Sequence, residues 1–241
     1  MESTAAAAWG EWLLLFVRPD EPGFWLLVDL IAAVGFAVML GGSARRRNLV
    51  RALRWLVTPF LALLFGAVSL EAMGLAGVDR GQALRLGMPL VVGILLLLAL
   101  VRLAVRPDPL APPRASGEPG EVPFAILYAG VEQAHWCFQR AAMLTIFMAL
   151  PVALSQPAYW ALWAAIFIAL PGLLFVPSGW ARLWSFIALA TTAILFFYTR
   201  NFWLAWALHA GIFLLAGPSI VRSGTTAAGS AAGQSTLSSS A

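Results

Sequence analysis

Seven stretches of the sequence, 23–42, 56–77, 84–104, 124–150, 158–177, 181–199 and 201–217, are long, apolar and poor in charge. Charge, Pro or Gly bounds each one. A helix needs about 20 apolar residues to cross a hydrocarbon core about 30 Å thick. The pattern therefore predicts an all-α fold, a polytopic transmembrane helix bundle of about seven spans. The stretch 5–17 (AAAAWGEWLLLFV) is too short to span; with Trp9, Glu11 and Trp12 it reads as an N-terminal interfacial helix. Composition agrees. Hydrophobic residues make up 61% of the 241, against a soluble norm of roughly 45–50%, and charged residues 11% against about 25%. So few charges exclude a soluble globule, a disordered chain and a nucleic-acid binder.

All fifteen basic residues are Arg, and their placement predicts orientation. Arg45, Arg46, Arg47, Arg51 and Arg54 follow the first span; Arg102, Arg106, Arg114, Arg182 and Arg222 fall on the same side. Arg18, Arg80, Arg85 and Arg200 fall on the other. Ten against four puts the N-terminus outside and the C-terminus in the cytoplasm, with a bacterial inner (plasma) membrane as the expected address. Residues 1–104 form a first group, the interfacial helix and three spans; 105–122, rich in Pro, Gly and charge, read as a cytoplasmic linker. A four-span core at 123–217 and a disordered Ser/Gly/Ala tail at 218–241 complete the chain. A cleaved signal peptide is not expected, since no basic residue precedes Arg18. Cys137, the single cysteine, excludes an intrachain disulfide.

Ionisable residues within apolar spans are costly, about 2.5–3.5 kcal/mol at mid-depth on insertion scales, and so are functional candidates. Asp29 and Glu71 read first as boundary residues of their spans. The fourth span carries more: Tyr128, Glu132, His135 and Gln139 recur at i, i+4, i+7 and i+11, on one helical face. Glu132 and His135 are neighbours at i, i+3, spaced to share a proton or a ligand. Arg140 borders this stripe at about 80° from Glu132. In the last span His209 shares a face with Phe202, Trp206 and Phe213. For untilted helices, both histidines lie about 12 Å from the outer side, so they can meet. A functional cluster at this depth would draw on Glu132, His135 and His209. The competing reading is a polar seam that joins helices.

The second half resembles the CAAX protease and bacteriocin-processing (CPBP) family of intramembrane endopeptidases. The stretch FFYTRNFWLAWALHAGIFLLAG is similar to that family's last motif, with His209 at the motif histidine. The fourth span is similar to its first motif, with Glu132 at one glutamate and Arg140 near the arginine. Gln133 stands in place of a second glutamate, Phe213 in place of Asn or Asp, and Phe167 with Pro171 is the nearest remnant of the middle Phe-x-x-x-His motif. The resemblance implies a hydrolase in which Glu132 is the general base, His135 and His209 assist, Tyr128, Gln139 and Arg140 support, and a membrane protein or peptide is the substrate; in its alternative form Glu132, His135 and His209 are instead a three-ligand site with an open position for a divalent metal such as zinc. Two alternatives stand beside it: a catalytically inactive scaffold or partner subunit in the lipid bilayer, and a haem or chlorophyll-type carrier with His135 and His209 as axial ligands.

Overall fold

The computed structural model describes residues 2–39, 44–104, 121–174, 176 and 179–216. Among them the fold is all-α, with eight helices and no strand. These are α1 (Glu2–Leu14), α2 (Pro22–Met39), α3 (Ala44–Leu64), α4 (Arg80–Ala104), α5 (Glu121–Met148), α6 (Pro157–Leu174), α7 (Gly179–Thr199) and α8 (Phe202–Ala216). A single π-helical turn, Ala83–Gly87, interrupts α4. Of the expected linker, 105–122, the stretch 105–120 lies outside the described residues, and Glu121 and Val122 already belong to α5. The expected tail at 218–241 also lies outside them.

Two helices, α4 and α7, are both long enough and apolar enough to cross a membrane. The apolar helices Pro22–Gly35, Pro157–Leu173 and Phe202–Ala216 are shorter. α5 is the longest helix, but its face of Tyr128, Glu132, His135, Gln139 and Arg140 lowers its apolar character. The second expected span shifts most. The helix covers 44–64 rather than 56–77, and 65–79 is a chain of turns. The cause is local. Gly66, Gly74 and Gly77 all adopt positive φ, which ends a right-handed helix however apolar its neighbours are. Glu71 accordingly lies in a turn, exposed, not inside a span. Upstream, the Arg-rich stretch expected as a loop is helical, because Arg is a good helix former.

α5 is the centre of the bundle and packs against α2, α3, α6 and α8. α7 and α4 close the bundle on the far side of α8. Helices of the first group thus pack directly on the core. One apolar cluster holds Trp25, Met73, Phe138, Ile146 and Phe196; a second holds Trp136, Trp184, Leu189, Leu208 and Ile212. Outward faces remain apolar: Leu27, Ile31, Phe60, Leu96, Leu100 and Leu103 are all exposed. α1 is tied to the end of α5, where the Trp12 indole N–H donates to the Ile146 carbonyl at 3.3 Å.

The two-residue turn between α7 and α8 sets the depth of the last helix. Arg200 takes φ +47° and donates its N–H to the Phe196 carbonyl, ending α7 in the left-handed conformation. Gly74 sits against this turn: a Cβ there would lie 2.5 Å from the Arg200 carbonyl oxygen, and the Gly74 carbonyl accepts from the Phe202 N–H. Asn201 then caps α8, its Oδ1 accepting from the N–H groups of Trp203 (2.9 Å) and Leu204 (3.2 Å). Asn201→Ala should cost about 1 kcal/mol through the lost cap. Thermal unfolding of the detergent-solubilised protein measures it; an unchanged midpoint would mean the cap contributes nothing.

Candidate functional site

Two acid–histidine pairs lie side by side along α5. In the first, Glu132 on α5 faces His209 on α8, with Oε2 and Nε2 3.5 Å apart. His209 is fully buried and Glu132 nearly so. The imidazole lies flat on the Trp136 indole, with centroids 4.6 Å apart and planes 5° apart, and meets Phe213 edge-on at 4.5 Å. Neither ring nitrogen of His209 makes a hydrogen bond to the described residues. Tyr128, one turn before Glu132, stacks on Phe213 and meets Trp55 of α3 edge-on, closing the same wall. Gly130 makes room here: a Cβ would sit 2.9 Å from Nε1 of Trp206, whose indole N–H donates to the Ile126 carbonyl.

The second pair brings together three helices. Asp29 of α2 is buried, with Oδ2 3.3 Å from Nε2 of His135. Gln139 donates from Nε2 to that same Oδ2 at 3.3 Å and lies 3.0 Å from Nε2 of His135. Nε2 of His135 thus faces both a carboxylate, which accepts, and the Gln139 amide, and the ring tautomer sets whether Nε2 donates to Asp29 or accepts from Gln139. Arg54 of α3 supplies the counter-charge: its Nε lies 3.7 Å from Oδ1 of Asp29, and its Nη1 lies 3.5 Å from the Asp29 carbonyl. Burying a carboxylate requires such a partner.

Arg140 turns away from both pairs. Its Nη2 donates to Thr192 Oγ1 at 3.1 Å and to the Leu189 carbonyl at 3.4 Å, both on α7, and the guanidinium lies 5.6 Å from the Phe196 ring. An apolar cleft of about 350 Å³ between α1, α2, α5 and α6 is lined by residues such as Trp12, Leu26, Leu30 and Met143. Among the described residues no ionisable side chain lines it, so it is separate from both pairs.

The structure thus brings Glu132 to His209 and puts Tyr128 in the same wall, but gives His135 and Gln139 to Asp29. Glu132, His135 and His209 do not form the three-ligand metal set: among the described residues no three His, Cys, Asp or Glu side chains are placed to hold a metal ion. Positions 132 and 135 differ by three residues, so their side chains point about 60° apart around the helix, toward different neighbours. The two histidines likewise belong to separate pairs; a cofactor ligated by both would have to displace these contacts and the Trp136 stack. Sequence reasoning missed the role of Asp29 and the partnership of Arg54. The available signal was that an acid inside an apolar helix needs a cation, and the nearest Arg-rich stretch follows it directly.

Compared with known proteins, the chain matches no family model, no curated protein and no solved structure.

Proposed function

We propose that this is a multi-pass membrane protein with a hydrolytic acid–base pair, Glu132 and His209, in its interior, resembling the CPBP intramembrane endopeptidases. The single observation behind this reading is that Glu132 and His209, 77 positions apart, are brought within 3.5 Å in an aromatic-walled interior. In the resemblance, Glu132 stands at a glutamate of the first motif and His209 at the histidine of the last. The apolar outward faces of α2, α3 and α4 suit lipid rather than water, since soluble monomers rarely expose contiguous apolar patches larger than a few hundred Å². The proposed topology has about seven spans, N-terminus outside and C-terminus in the cytoplasm of a bacterial inner membrane.

In this reading Glu132 takes a proton from a water molecule as the water oxygen bonds to the carbonyl carbon of a peptide. His209 orients the water or supports the negative charge that develops on the carbonyl oxygen. The proton then passes from Glu132 to the leaving nitrogen as the C–N bond breaks, releasing a carboxylic acid and an amine. The Asp29–Arg54–His135–Gln139 group serves as structural support.

A second reading has its own observation. The polar stripe of α5 joins four helices: Glu132 reaches α8, His135 and Gln139 reach α2, and Arg140 reaches α7. That is also what a seam in a scaffold would do. The test is cleavage of membrane-spanning peptides by the protein in proteoliposomes, read by mass spectrometry. Loss of cleavage in Glu132→Gln at unchanged helix content supports the hydrolase. Absence of cleavage by the wild type, or retention in Glu132→Gln, supports the scaffold.

A further inference from the structure

We infer that Trp136 is the positioning residue of His209, setting the plane of its ring and hence its alignment with Glu132. This rests on the reading of Glu132 and His209 as a working pair.

A functional histidine is ordinarily oriented by a hydrogen bond at its second ring nitrogen, to a carbonyl or a carboxylate. His209 lacks that anchor: Nδ1 makes no hydrogen bond to the described residues, and Nε2 has only Glu132, 3.5 Å away. What fixes the ring is aromatic. The Trp136 indole covers one face at 5° from parallel, and Phe213 meets it edge-on at 78°. These are the two arrangements that the ring quadrupoles favour.

The sequence positions make the arrangement coherent. Trp136 is four residues after Glu132 on α5, so both side chains project from one face of one helix. One turn of α5 therefore holds the edge of the imidazole with a carboxylate and its face with an indole. Phe213 is four residues after His209 on α8 and follows it as a unit. Removing Trp136 leaves the ring held by Phe213 at one edge but uncovered on its face, with no hydrogen bond at Nδ1 to the described residues to restore its plane.

The experiment uses the full chain in detergent micelles, labelled at histidine with 15N and 13C. The chain has two histidines, so His135→Ala assigns the spectrum. In the wild type the His209 ring protons should be shifted upfield by the indole. Trp136→Leu should abolish that shift, and Trp136→Phe, which keeps a flat ring, should retain part of it. Glu132→Gln should move the His209 Nε2 resonance in the wild-type background and leave it unmoved in Trp136→Leu. In the cleavage assay Trp136→Leu should lower kcat about 10–100-fold at unchanged KM, the scale of a small misplacement of a reacting group, and Trp136→Phe should recover at least half of the rate.

A wild-type spectrum without the upfield shift overturns the inference without any variant. So does a Glu132→Gln response that persists in Trp136→Leu, or a Trp136→Phe as damaging as Trp136→Leu. The outcomes separate from those of the functional reading: a chain that cleaves nothing refutes the hydrolase, while the resonances still decide what orients His209.

Discussion

Asp29→Ala should destabilise the folded protein by about 3 kcal/mol, and by up to about 5 if Arg54 cannot reorient. The size comes from what is left behind. Asp29 is 2% exposed and bonds to residues of α3 and α5 at once. Its removal strands the Arg54 guanidinium, whose side chain is 12% exposed, and leaves the Gln139 amide without its acceptor oxygen. Breaking a buried pair from one side costs more than the pair contributes, because the remaining charge keeps its desolvation penalty. The long stem of Arg54 can carry the charge toward water, which places the expected value at the lower end. Asp29→Asn keeps the volume and an acceptor for Gln139, and should cost about half as much. The double variant Asp29→Leu, Arg54→Met should recover most of the loss, since an apolar pair of similar size often replaces a buried ion pair without penalty. Unfolding midpoints in one detergent at fixed protein concentration measure all three. Asp29→Ala within about 0.5 kcal/mol of the wild type, the range of ordinary surface substitutions, would mean that Asp29 is not a buried junction.

That junction shows how much of the molecule was legible in its sequence. The helical class followed from apolar runs, and the polar face of α5 from the spacing of Tyr128, Glu132, His135 and Gln139, because a 3.6-residue period is a local property. The pairing of those residues was not local. Depth arithmetic put His135 and His209 at one level, but depth says nothing of direction around the helix axis. His135 points to α2 and Glu132 to α8. The start and end of α3 were hidden for a different reason. Hydropathy reads 56–77 as one apolar run, while Gly66 at positive φ lies just past the helix end at Leu64, and Gly74 and Gly77 at positive φ fall in the turns that follow. The same shift turned Arg54 from a loop residue into a helical one whose guanidinium faces Asp29. Trp136 stands one turn after Glu132 in the sequence; that its ring lies flat on His209 depends on α8 packing against α5.

The second large effect concerns Glu132 and His209 themselves. A positioned general base contributes about 10²–10⁴ to the rate, so Glu132→Gln should lower kcat by at least about 100-fold. In the proposed pair, His209→Ala should produce a loss of similar order. Groups that work as a unit are grossly non-additive, and removing the second costs little once the first is gone.

The decisive measurement is therefore the cleavage rate in proteoliposomes of the wild type, Glu132→Gln, His209→Ala and the double variant, each checked for unchanged helix content. Two large single losses are expected, with a double variant no slower than either. Singles that retain the wild-type rate, or losses that multiply in the double variant, would contradict a joined acid–base pair and leave Glu132 and His209 as part of the seam between α5 and α8.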